Sequence, residues 1–309
     1  MHATIISDKD KENLVEDKEN LAGDKENLAG DKENLAEDKE NLAEGKVCDQ
    51  ATITKKRILL VIGYDGTNYC GWQIQINGIT VEEIINRELS RLLREEIAVI
   101  GASRTDSGVH ALGNVAVFDT ISKIPAEKMS FALNQRLPED IRIQKSMEVP
   151  IDFHPRFCNS TKTYEYKILN RRFDVPLMRL YTHFVYVPLD VEKMRQAAEY
   201  IVGEHNFKSF CSARTQVVDF VRTVYELDVQ KEGDIITIRI SGNGFLYNMV
   251  RIIVGTLIKV GMKVYPAEHV KEILDAQDRN AAGPKAPAKG LTLVDIKYET
   301  LPEDYMVQG

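Results

Sequence analysis

Apolar and polar positions divide the chain into a repetitive start and a long globular remainder. Residues Arg57 to Tyr64, RILLVIGY, form a nearly continuous apolar run, the pattern of a buried strand. Thr80 to Glu96 keeps a helical period, with Val81, Ile84, Ile85, Leu89, Leu92 and Leu93 on one face. Thr80 and Glu83 make a capping box at its start. Strands are expected at Ile97 to Ile100 and Asn114 to Asp119, with the polar stretch ASRTDSGVHA, residues 102–111, between them. Glu127 to Leu137 reads as helix, and Thr163 to Leu169 alternates as a strand does.

The second half repeats this alternation of types. Val191 to Val202 reads as a helix behind an Asp190 cap and ended by Gly203. Thr223 to Gln230 and Ile235 to Ser241 read as paired strands joined through Glu232-Gly233-Asp234. Phe245 to Val260 is a strongly apolar helix, residues 266–277 form another, and Leu291 to Tyr298 is a last strand. Strands, a helix and more strands in each half predict an α+β fold, antiparallel sheet covered by helices.

Ahead of this body, DKENLxx occurs five times in succession from Asp10. The period is seven, but each heptad offers only an adjacent pair, such as Leu14-Val15 or Leu21-Ala22, and not the alternating seam of a coiled coil. Gly23 and Gly30 interrupt it further. Residues 1–50 are therefore expected to be a low-complexity, disordered tail. The folded body follows as two halves, 51–155 and 156–309.

Charge sharpens that division. The tail holds 7 Lys against 15 Asp and Glu, so it carries −8, and the remainder is left at +1 from a total of −7. A near-neutral body neither demands nor excludes a nucleic-acid partner, because binding needs a local basic surface. No apolar run approaches the ~18 residues that span a membrane, and the N-terminus lacks the basic start and apolar stretch of a secretory signal. The expectation is a cytoplasmic protein without a membrane partner. The four Cys residues are scattered without CxxC, and the six His residues without HxH or HxxxH, so neither a disulfide framework nor a metal is expected.

Three stretches are more specific than packing requires. YDGTNYCGWQ, Tyr64 to Gln73, sets a turn signal directly after a strand; its plainer reading is a loop whose Trp72 anchors the core. ASRTDSGVHA crowds Arg104, Asp106 and His110 into one loop, where Gly108 permits an unusual backbone angle. An Asp in such a loop is more often a turn cap than a reacting group, and His110 more often a turn-stabilising hydrogen bond. SGNGFLYNMVR, Ser241 to Arg251, leads into the apolar helix and places Arg251 inside it. An arginine there either snorkels to the surface or meets a buried carboxylate, because burial without a partner costs several kcal/mol. Asp106 is the candidate partner, and such a pair favours the ionised carboxylate.

These stretches carry a resemblance. RTDSGVHA resembles the signature of the TruA family of tRNA pseudouridine synthases, whose usual form is close to GRTDAGVHA. YDGTNYCGWQ resembles the family's first block, and KTYEYKI (162–168), FKSFC (207–211), GFLYNMVR and APAKGLTLVDIKY (286–298) resemble later blocks, in the family's order. The similarity covers about residues 55–299. Ser103 stands where the family usually has Gly and Ser107 where it usually has Ala; neither removes a functional group. The repeat tail has no counterpart.

The resemblance implies two α+β halves about a pseudo-twofold axis with the catalytic cleft between them. It implies conversion of uridine to pseudouridine in tRNA: the N1–C1′ bond breaks, the uracil turns, and C5 bonds to C1′. No cofactor is needed, since there is neither redox change nor group donor. Asp106 becomes the essential aspartate, Arg251 its buried partner, Tyr164 the ring that stacks on the uracil, and Arg104 the cation associated with extruding the base. Asp106 attacks C1′ or opens a glycal route; both remain open. Bacterial members are homodimers that modify positions 38 to 40 of the anticodon stem-loop. Lys162, Arg171, Arg172 and Arg179 are candidates for contacts to the tRNA backbone. Three alternatives stand beside this reading. An inactive RNA-binding protein of the same fold, or a synthase with a different tRNA target, has no need or an equal need of these residues. An unrelated aspartate-dependent hydrolase would require a second acid or a metal.

Overall fold

The computed structural model describes residues 55–212 and 217–301, so the expected repeat tail lies outside the described residues. Ten strands form a single sheet with the path β4-β1-β3-β10-β5-β9-β8-β7, while β2 joins β3 and β6 joins β5. The strands are β1 (Lys56–Tyr64), β2 (Ile100–Gly101), β3 (His110–Thr120), β4 (Ile141–Val149), β5 (Ser160–Asn170), β6 (His183–Val185), β7 (Gly203–Asn206), β8 (Val221–Glu232), β9 (Ile235–Gly242) and β10 (Leu291–Tyr298). The helices are α1 (Val81–Leu93), α2 (Met129–Asn134), α3 (Val191–Glu199), α4 (Met249–Gly261) and α5 (His269–Ala276). The architecture is mixed α+β.

The continuous apolar run of β1 follows from its place. It lies between β3 and β4, both antiparallel to it, and Ile58 to Tyr64 are buried without a break. Helix α1 buries Val81, Ile84, Ile85 and Leu89, the face its periodicity draws, and Thr80 Oγ1 accepts from the Glu83 amide at 3.3 Å. It ends at Arg94, which takes a left-handed conformation with φ 57°.

The sheet is antiparallel except at two short joins. β6 runs parallel to β5, and β10 pairs with β3 in parallel only at Thr292↔His110 and Leu293↔Ala111. β10 then pairs antiparallel with β5 over Leu291↔Tyr166 to Tyr298↔Ser160. The last strand of the chain is therefore the seam between strands β1–β4 and strands β5–β9.

Strands β4, β6 and β7 lie outside the sequence expectation, β3 begins at His110 ahead of the expected Asn114, and several expected elements are shorter. Ile97 to Val99 lie outside any ladder, and only Ile100–Gly101 pair, with β3. The reason is that helix side chains supply their partners: Ile97 N donates to Ser90 Oγ at 3.0 Å and Val99 N to Asn86 Oδ1 at 2.8 Å. The helix expected over 127–137 is a 3-10 turn followed by only Met129–Asn134. The apolar helix expected from Phe245 begins at Met249, because Asn248 adopts φ 60° and breaks the helical path before it.

Candidate active site

The loop from Ala102 to Val109 joins β2 to β3, and its groups are held one by one. The Ala102 amide donates to Val115 O at 2.7 Å. Three successive carbonyls accept from distant side chains: Gly101 O from Arg156 Nε at 2.8 Å, Ala102 O from Lys162 Nζ at 3.0 Å, and Ser103 O from Asn114 Nδ2 at 3.0 Å. Thr105 O accepts from the Trp72 amide at 3.0 Å, and Asp106 O from the Val109 amide at 3.1 Å. With the carbonyls of Ala102, Ser103, Thr105 and Asp106 satisfied, the loop has few alternative conformations to visit.

The first sequence block lies beneath this loop. Gly71 has φ 86°, and a Cβ there would lie 2.6 Å from Thr105 O, so no side chain fits between the two segments. Trp72 is fully buried beside Gly101. The block thus positions the loop as well as anchoring the core.

Along the loop, burial alternates. Ser103 and Thr105 turn inward; Arg104 is exposed and Asp106 partly so. Ser103 Oγ shares a hydrogen bond with the Tyr164 hydroxyl at 2.8 Å, and Thr105 Oγ1 one with the Tyr64 hydroxyl at 2.7 Å. Asp106 reaches the apolar helix: Arg251 Nη1 donates to its Oδ2 at 2.9 Å.

Arg251 sits in the first turn of α4, where every residue but Lys259 is buried. Its guanidinium has three acceptors. Besides Asp106, Nη1 donates to Asn248 Oδ1 at 3.0 Å and Nε to Ala286 O at 2.8 Å. The Ala286 amide donates back to Arg251 O at 3.0 Å. The segment 283–286 comes this close because α4 has Gly255 opposite Pro284; a Cβ there would lie 1.7 Å from the Pro284 carbonyl oxygen. The glycine is what brings the last sequence block, APAKG, onto the arginine.

Tyr164 stands on β5 between Leu293 of β10 and Ile240 of β9. Phe245 braces its ring edge-on at 5.3 Å between centroids. Burial is the main cause that pushes its phenol up to about 12; the hydrogen bond with Ser103 acts against this, and the Asp106 charge adds to it. The phenol therefore keeps its proton at neutral pH. Burial, with the charges of Arg156 and Arg222, pushes the Lys162 ammonium down to about 8 from its ordinary 10.5.

The structure thus brings Asp106, Arg251 and Tyr164 around one loop, with Arg104 exposed two residues before the aspartate. His110 is occupied elsewhere. Its Nδ1 lies 3.1 Å from both the Gly66 amide and Asp65 Oδ1, and Nε2 lies 3.1 Å from Leu180 O and 3.3 Å from Lys289 O. It ties three segments together at the β3–β10 seam. Among the residues nominated for RNA contact, Lys162 is committed to Ala102 O, Arg171 pairs with Asp234 at 3.3 Å, Arg172 lies over the Phe173 ring, and Arg179 donates to Pro176 O. Asn114 and Arg156 lie outside the quoted blocks, and nothing in the sequence marks them as part of the site. Among the described residues, no three His, Cys, Asp or Glu side chains converge as metal ligands, and no helix is long and apolar enough to cross a membrane.

Comparison with known proteins supplies the class that this geometry belongs to. Residues 60–158 and 197–299 match the family model described as tRNA pseudouridine synthase. A tRNA pseudouridine synthase A of Brevibacillus brevis is 51% identical over 244 residues, 79% of this chain and 100% of that protein. Proteins of the same name from Ruminiclostridium cellulolyticum and Thermoanaerobacter sp. are 50% and 47% identical, each over 79% of this chain and 100% of their own length. The chain belongs to the tRNA pseudouridine synthase family, a family of isomerases.

Proposed function

We propose that this protein converts uridine to pseudouridine at positions 38 to 40 of the tRNA anticodon stem-loop, with Asp106 as the reacting group. The observation that carries the reading is the Arg251–Asp106 ion pair at 2.9 Å, on a loop whose start is held by Arg156, Lys162 and Asn114 through the carbonyls of Gly101, Ala102 and Ser103. Arg251 has a partly exposed carboxylate on one side and an apolar helix on the other, so it fixes the position of Asp106 at the edge of the site. A charged carboxylate is the starting point for attack on C1′ and for the glycal route alike.

The halves 51–155 and 156–309 supply opposite walls of the cleft, Asp106 and Arg104 from the first, Tyr164 and Arg251 from the second. A uridine within a stem reaches Asp106 only after leaving the stack, which costs a few kcal/mol. Arg104, exposed beside Asp106, is the cation that offsets part of that cost by occupying the vacated position. The Tyr164 ring stacks on the extruded uracil, and its hydroxyl assists proton removal at C5. The active form is a homodimer that holds one tRNA across both subunits, and no cofactor takes part.

The test is an unmodified tRNA transcript incubated with the purified protein, then carbodiimide labelling and primer extension. Stops at 38 to 40 are expected without added cofactor. Stops elsewhere would replace the target, and none at all would remove the activity. Asp106→Asn is expected to lower the rate on the order of a thousandfold or more, as for groups that react directly. Full activity in that variant would remove Asp106 from the mechanism.

A further inference from the structure

Ser103 replaces a glycine that is usual in the family, and the added hydroxyl lies against the proposed stacking tyrosine. We propose that Ser103 is a positioning residue for the isomerisation: its hydroxyl fixes the direction in which the Tyr164 hydroxyl points. The inference rests on the function proposed above. It goes beyond it because a chain with glycine at this position has no group to make the contact.

Geometry carries the argument. Ser103 Oγ and the Tyr164 hydroxyl oxygen are 2.8 Å apart, and the two residues are only 6% and 8% exposed. Neither end can drift. The backbone around Ser103 is held through the Ala102 amide on Val115 O, Ala102 O on Lys162, and Ser103 O on Asn114. The Tyr164 backbone is fixed between β9 and β10, and its ring edge is braced by Phe245. A phenol oxygen has one proton and a small set of acceptor directions. With Ser103 occupying one of them, the rest of the hydroxyl is turned to a defined side. Asp106, three residues along the same loop, is near enough for its charge to act on this phenol. Ser103 touches no reacting atom in this arrangement and acts only through Tyr164.

The experiment measures S103G and S103A in the full-length protein, in the natural and the Y164F backgrounds, on an unmodified tRNA transcript. S103G is the safer variant for folding, because glycine is the residue the family usually accepts there. In the natural background kcat is expected to fall roughly three- to tenfold, the scale of one hydrogen bond, with KM for tRNA unchanged and the melting temperature lower by about 2–4 °C, as loss of one buried hydrogen bond entails. In the Y164F background, where single-turnover measurement with excess enzyme reads slow rates, the same change is expected to have no further effect. Equal losses in both backgrounds, an unchanged kcat in S103G, or a fall matched by weaker tRNA binding would each overturn the proposal. A wild-type protein that forms no pseudouridine would overturn the functional reading itself, and is thereby told apart from these results.

Discussion

Arg251 is costly to bury, and Asp106, Asn248 and Ala286 together offset that cost. Removing the guanidinium leaves the Ala286 carbonyl without its donor and Asp106 without its cation. Loss of one partner of a buried pair costs about 3–5 kcal/mol, and the solvent that reaches Asp106 reduces this to about 2–3 kcal/mol. Arg251→Met is therefore expected to lower unfolding free energy by that amount in urea titration, with an unchanged slope. Lys162 gives a pH-dependent counterpart. Its folded ammonium titrates near 8, below the ordinary 10.5, so between these values the unfolded chain binds the extra proton. Stability through this group therefore rises with pH across that window, by at most about 1.4 kcal/mol per pH unit. Lys162→Met is expected to flatten that part of the curve between pH 8 and 9.5, as read by chemical denaturation. Of the site itself, the Arg251–Asp106 contact was foreseeable, because an arginine in an apolar helix needs a carboxylate. The grip on the loop carbonyls was not. Asn114, Arg156 and Lys162 act on residues 11, 55 and 60 positions away, through backbone oxygens that leave no trace in the sequence pattern.

At the scale of elements, helix α4 has two functions that depend on one residue. Gly255 admits the segment 283–286, which then supplies the carbonyl that orients Arg251. Gly255→Ala would favour an isolated helix by about 1 kcal/mol. Here the new methyl has no room, so the variant is expected to be destabilised by about 2 kcal/mol or more and to lose activity with it. Thermal unfolding and the tRNA assay, run on the same preparation, check both parts. Elements with strong periodicity, β1, α1, β9 and the body of α4, were legible from their residues. Strand β4 was not, because its register against β1 shifts between Ile143 and Lys145, which breaks the alternation, and the next buried position holds Ser146. Its hydroxyl donates to Ala126 O at 2.6 Å and accepts from the Ser130 amide at 2.8 Å, so a polar residue satisfies the core there. The expected strand over 97–100 failed for the opposite reason: an apolar run took its backbone partners from side chains of α1.

At the scale of the molecule, the matched relatives are covered over 100% of their length by 79% of this chain, and the family model begins at residue 60. The matched region thus does not include the acidic repeats. Removal of residues 1–46 is expected to leave the melting temperature within about 2 °C, less than 1 kcal/mol of stability for a body of this size. A larger drop in calorimetry would show that the repeats support the fold.

The position of β10 also sets a timetable. A chain leaving the ribosome presents β1, β3 and the aspartate loop first, and next β5 and β9, yet the strand that belongs between β3 and β5 emerges after all the others. Until residues 291–298 are made, β5 lacks its antiparallel partner on that side, and an unpaired strand edge is the kind of surface that recruits other nascent strands. Ala286, which orients Arg251, arrives just ahead of that strand. Asp106 is thus among the earlier residues of the folded body to be synthesised and among the last to acquire its setting.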